Sequence, residues 1–208
     1  GRELPRLQPE LREMMTDDAL DTLNRGRLDA AVIVIDVNLR RTVVVPMYDE
    51  PLVLLIPADH PWAGREDVDP AELDDQKLLM LDEGNCLRDQ TLALCQRYGV
   101  NPPIAVATTL ATVVGMVTHG VGATVIPEGA LRLLGSDGAF AVARFAEPGA
   151  VRRIGLVHRT SSSRGEDFTR LAEVVTNLAR DANLPMRPLS ESVDLDVGAG
   201  RRTRRGRS

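Results

Sequence analysis

Aromatic residues are scarce, at 3% of the chain. A core must therefore be assembled from Val, Leu, Ile and Ala rather than from stacked rings. No apolar run approaches the roughly 20 residues that a membrane-spanning helix needs, so the reading includes no membrane partner. The opening stretch, GRELPRLQPELREMM, is mixed and charged and does not read as a secretory signal. It also lacks an initiator Met, which reads as a fragment or a processed product. There are only two cysteines and three histidines. That is too few, and too scattered, for a zinc pattern, and no metal or cofactor is expected. With no secretory signal, the two thiols imply a reducing, cytoplasmic setting, where a lasting disulfide is improbable and a transient redox pair is possible.

What is present is an acidic body with a basic end. The net charge is −5, and residues 201–208 (RRTRRGRS) hold five arginines and no acid, so the remainder carries −10. A body this acidic is ill-suited to gripping phosphate backbones by itself. The 208 residues suffice for one sizeable domain or two small lobes.

Strand and helix signals alternate, which predicts α/β layers. A short helix is expected over 17–25, with Thr16 as N-cap and Gly26 as its stop. The apolar run Leu28–Ile35 reads as a strand covered on both faces in a parallel sheet. Val43–Val45 and Leu52–Ile56 read as two strands punctuated by Pro46, Pro51 and Pro57. Further strands are expected at 77–81, 104–107, 123–126 and 153–158, with a short helix over 70–75. Longer helices are expected over 87–98 and 110–119. Phe168, Leu171, Val175, Leu178 and Ala179 predict one face of a last helix. Residues from 184 onward, rich in Pro, Ser, Gly and Arg, are expected to be disordered.

The stretch GNCLRDQTLALC (84–95) carries the most chemistry. Cys86 sits at or just before a helix start, where free N–H groups and the positive end of the dipole favour thiolate. Arg88 could stabilise that anion, and Asp89 could accept a proton or orient a neighbour. A thiolate attacked by peroxide gives a sulfenic acid, which a second thiol can condense with. Cys95 is the one other cysteine in the chain. On one intact helix the two would lie about 13.5 Å apart in rise and on opposite faces. A disulfide needs Cα atoms within roughly 7 Å, so bonding would require the helix to unwind. The plainer alternative is that both are small buried hydrophobes. His119 and His158 read as surface or helix-end residues.

The run LLMLDEGNCLRDQTLALC (78–95) resembles the active segment of the OxyR-type hydrogen-peroxide sensors of the LysR family. LNRGRLDAAV (23–32), YDEPLVLLIPADHPWA (48–63), ATTLATVVGMVTHGVGATVIP (107–127) and VRRIGLVHR (151–159) resemble other parts of LysR effector domains, in family order. The resemblance implies a two-lobed, periplasmic-binding-protein-like fold. Residues 1–47 and 153–183 would form the first lobe, 48–152 the second, and 184–208 an Arg-rich tail. It implies Cys86 as the peroxide-reactive thiol and Cys95 as the resolving thiol, joined by a reversible disulfide. Thr16, Asn85, Arg88, Asp89 and Arg152 would line the peroxide pocket, with Gln90 also matching the motif. Asn85 departs from the family, which commonly has His before the reactive cysteine. The implied partners are hydrogen peroxide, a second copy of the chain in a homodimer or tetramer, cellular thiol reductants, and promoter DNA. DNA would be read by a winged helix-turn-helix N-terminal to this chain. That module and the first strand and helix of the effector domain are expected to be missing, as in an N-terminally truncated regulator. The function implied is redox-sensing transcriptional regulation rather than enzymatic turnover. The alternative is a generic effector domain that binds a small metabolite between its lobes.

Overall fold

A computed structural model describes residues 8, 10–35, 39, 41–135 and 138–189. Its elements run α1 (Thr16–Asn24), β1 (Ala30–Val34), β2 (Thr42–Pro57), a 3-10 turn (Pro70–Asp75), β3 (Leu78–Leu81), α2 (Cys86–Tyr98), β4 (Ile104–Ala107), α3 (Leu110–Thr118), β5 (Thr124–Pro127), a 3-10 turn (Glu128–Ala130), α4 (Leu131–Leu134), β6 (Phe140–Arg144), β7 (Val151–Arg159) and α5 (Gly165–Asp181). The α/β class read from the sequence is the class observed. Among the described residues, no helix is long and apolar enough to cross a membrane.

The organising element is β2. Its first part, Thr42–Pro51, pairs antiparallel with β7, and β7 in turn pairs antiparallel with β1. Its last part, Leu52–Pro57, lies between β5 and β6, antiparallel to both. The two strands expected here are therefore one. Proline cannot donate to a ladder, and the chain accommodates this in two ways. The register shifts between Pro46 and Tyr48. Pro51 stands where β2 exchanges one set of partners for the other.

The apolar run around Ala31 also corrects its expectation. β1 is antiparallel to β7 and ends the strand order, and Val32 is 52% exposed. Parallel pairing occurs instead between β3 and β4, and in the bridge from Leu78 to Ala123. β6 was not anticipated from its sequence.

The largest core, from Leu52 to Phe145, packs α2 and α3 against β3 and β5. Two smaller clusters lie elsewhere. One joins Met47, Leu156, Phe168 and Ala172, and the other joins Leu23, Ile33 and Val157. On α5 the buried residues are Phe168, Ala172 and Ala179, whereas Leu178 faces solvent. His158, expected at the surface, is buried against Phe168 and donates through Nδ1 to the Arg159 carbonyl. His119 is the exposed C-cap of α3.

Residues 184–189 do not trail away. Arg187 and Asp49 exchange main-chain hydrogen bonds at 2.7 and 3.2 Å. The rest of the Arg-rich tail lies outside the described residues.

Candidate functional site

α2 is defined at both ends by local chemistry. Asn85 is its N-cap, and the side-chain oxygen accepts the Leu87 N–H at 3.0 Å. Gly99 ends it in the left-handed region at φ 66°, which glycine adopts without a Cβ penalty. Cys86 is the first residue of the helix, inside the turn whose N–H groups have no helical acceptor.

Helical periodicity then sorts the segment into faces. Leu87, Thr91, Leu94 and Cys95 are buried. The Thr91 hydroxyl donates to the Leu87 carbonyl at 2.9 Å, which satisfies it in the core. Cys86, Asp89, Gln90, Ala93 and Arg97 form the opposite stripe and line a crevice of about 620 Å³. That volume lies within the range of small-ligand sites. The facing wall comes from Val34 and Ile35 at the end of β1, from β2 near Asp49, and from residues 147–153 at the start of β7. Thr16 and Asp17 of α1 close one side, and Arg187 another.

The crevice thus brings together four of the residues singled out by sequence: Cys86, Thr16, Asp89 and Arg152. The other three lie elsewhere. Asn85 is committed to capping, Arg88 turns away so that Nη1 donates to the Leu81 carbonyl at 3.3 Å, and Cys95 is in the core. Thr16 is not an N-cap. Met15 holds that position with no side-chain cap bond, and Thr16 starts the helix and faces the crevice.

Both thiols are free. Cys86 is partly exposed and Cys95 is buried. Burial pushes the Cys95 thiol above its ordinary range, and the Asp74 carboxylate adds to the rise. An unbroken helix separates the pair, with about 13.5 Å of rise across nine residues. Arg152 is held by Glu50, with Nε at 2.8 Å and Nη2 at 2.7 Å from the same carboxylate oxygen. Beside it, Arg153 grips Asp49 through both carboxylate oxygens at 2.8 and 2.9 Å, and Asp49 is 1% exposed. Arg187 holds Glu147 at 2.6 and 2.9 Å and donates to the Pro148 carbonyl at 2.7 Å.

Sequence reasoning gave Gln90 no separate role. Its Oε1 is buried on the crevice stripe without a hydrogen-bond partner among the described residues. The readable signal was its spacing, four residues after Cys86, which places both on one helical face.

Residues 2–182 match the LysR substrate binding domain family. The chain is 42% identical over 176 residues to a probable hydrogen peroxide-inducible genes activator of Mycobacterium avium, covering 84% of this chain and 57% of that protein. It is 36% identical over 172 residues to the DNA-binding transcriptional dual regulator OxyR of Escherichia coli K12, covering 82% and 56%. Among solved structures, a hydrogen-peroxide-bound mutant of Corynebacterium glutamicum OxyR superposes with a TM-score of 0.81 at 35% identity, covering 88% of this chain and 58% of that one. A reduced OxyR form gives 0.71 at 32% identity, covering 86% and 84%. The chain therefore spans a little over half the length of the curated relatives it matches.

Proposed function

Because the chain belongs to the LysR substrate-binding domain family, we propose that it is the redox-sensing regulatory domain of a peroxide-responsive, DNA-binding transcriptional regulator. One observation carries this reading. A partly exposed thiol opens onto a crevice from the first turn of α2, and the second thiol is buried further along the same helix.

The chemistry follows from that placement. The Cys86 thiolate attacks one peroxide oxygen. A sulfur–oxygen bond forms, the O–O bond breaks, and the departing hydroxide takes a proton to become water. Thr16, Asp89, Arg152 and Gln90 offer the polar contacts that orient peroxide. Asn85 acts indirectly, by fixing the helix start on which Cys86 sits. Arg88 braces the same turn against β3. Cys95 then attacks the sulfenic sulfur, the disulfide forms, and a second water leaves. Cellular thiols reverse the bond by exchange.

The two-lobe division, 1–47 with 153–183 and 48–152, is supported by the separate cores on either side of the crevice. Remodelling α2 would alter how two copies associate in a homodimer or tetramer. That would change the spacing of paired DNA-binding modules on promoter DNA. The regulator works in the cytoplasm, where reductants reset it, and it is not a turnover enzyme.

Peptide mass mapping under non-reducing conditions tests this, with and without a small excess of hydrogen peroxide. The expected result is a rapid Cys86–Cys95 disulfide that thiols reverse and that Cys86→Ser abolishes. Two thiols that stay free under peroxide would sink the sensing assignment. The crevice would then stand as a metabolite site.

A further inference from the structure

Arg152 faces the crevice with its charge already matched. Glu50 and Arg152 are cross-strand neighbours on β2 and β7, and their side chains are 13% and 19% exposed. Two guanidinium nitrogens bind a single oxygen of Glu50. The other oxygen rests against bare backbone, since a Cβ added at Gly129 would come within 2.6 Å of Glu50 Oε1. The carboxylate is thereby fixed from three sides: by strand register, by Arg152 and by the Glu128–Ala130 turn. Tyr48 lies within the influence of both partners. Burial raises its hydroxyl most, Glu50 raises it further, and Arg152 opposes them.

Other charges around the crevice are arranged differently. Arg153 is bound to Asp49 and Arg187 to Glu147. Asp17 of α1, and Asp89 and Arg97 of α2, complete the charged lining, with Tyr98 at the far end of α2. The Glu50–Arg152 pair thus places a guanidinium on the wall opposite the reactive stripe and cancels its charge in the same place.

We propose that Glu50 is a positioning residue that sets the reactivity of Cys86 by holding Arg152 as a neutral pair. The inference rests on the reading of Cys86 as the reactive thiol and Arg152 as its crevice neighbour. An uncompensated guanidinium would favour the thiolate. Glu50 therefore acts as a restraint: it keeps the cation in place while limiting the activation it supplies. The threshold of the sensor then depends on a carboxylate that does not itself line the crevice.

The test is the pH dependence of Cys86 alkylation by iodoacetamide, measured on the full chain and assigned by peptide mapping. Glu50→Gln keeps the shape and removes the charge. The expected result is roughly threefold faster Cys86 alkylation at mildly acidic pH. Glu50→Asp should restore most of the wild-type profile, and Glu50→Gln combined with Arg152→Gln should return it to wild type. Gly129→Ala, which displaces the carboxylate by contact, should shift the profile in the same direction as Glu50→Gln and covers the case in which that variant fails to fold. A Glu50→Gln profile that matches or lies above wild type in a folded chain overturns the proposal. So does a shift that survives loss of Arg152. Alkylation needs no peroxide. A Cys86 that peroxide leaves unoxidised would therefore sink the sensing assignment while the Glu50 measurement stood on its own.

Discussion

Asn85 shows how one side chain can serve the fold at a position where the resembling family commonly carries His. Its side-chain oxygen satisfies the Leu87 N–H, one of the donors that a helix start leaves open. Asn85→Ala should cost about 1 kcal/mol, read as a lower urea midpoint with an unchanged slope, and Asn85→Asp should retain the cap. Cys95 differs from Cys86 because its thiol is in the core. Burial raises its pKa, so the folded chain keeps it protonated to higher pH than the unfolded chain does. The stability linked to this thiol is complete below the ordinary cysteine range and falls as pH rises through it. Iodoacetamide should accordingly modify Cys86 first in the native chain, and the two at similar rates in strong denaturant. Equal native rates would contradict the burial of Cys95.

At the scale of the element, α2 is a helix that the proposed disulfide cannot leave intact. Its two cysteines start on opposite faces, one on the crevice and one in the core. Oxidation must extract Cys95 from beside Leu94 and Leu87 and break the hydrogen bonds between them. Hydrogen exchange followed by peptide mapping should show amides of 86–95 losing protection on oxidation, while β2 and β7 keep theirs. Unchanged protection in a fully disulfide-bonded chain would show that the bond forms without unwinding. β2 makes the opposite point. Pro46 and Pro51 suggested interruptions, yet the strand continues to Pro57, because a register shift falls at the first and a change of partners at the second.

At the scale of the molecule, the crevice exists because β2 and the 147–153 stretch both pass between the cores and carry Asp49 and Arg152 to its wall. Arg187 fastens that passage to the chain beyond α5. The sheet beside it depends on close backbone approach. A Cβ on Gly122 would lie 2.4 Å from the Lys77 carbonyl oxygen and 3.3 Å from the Leu79 side chain. Gly122→Ala should therefore destabilise the chain by about 1–3 kcal/mol, seen as a lower melting temperature, with Cys86 alkylation of the folded chain little changed. An unaltered melting temperature would mean that β3 and β5 separate more easily than this contact allows.

Local features are legible in the order of residues alone. The helix that starts at Cys86 and the α/β alternation follow from neighbours within one or two turns, where propensity and periodicity act. Resemblance, rather than any local rule, put Thr16, Asn85, Arg88, Asp89 and Arg152 in one pocket with Cys86, and of these Asn85 and Arg88 do not line the crevice. Features that depend on partners distant in the chain came from packing. The apolar run in β1 could not show that it would be an edge strand, because exposure depends on which strand lies beside it. Nothing near Arg152 in sequence indicates Glu50, 102 residues away, as its partner. Nor could spacing tell that Arg88 turns toward Leu81 while Asp89 faces the crevice, since either side of a helix start is open until the sheet packs against one of them.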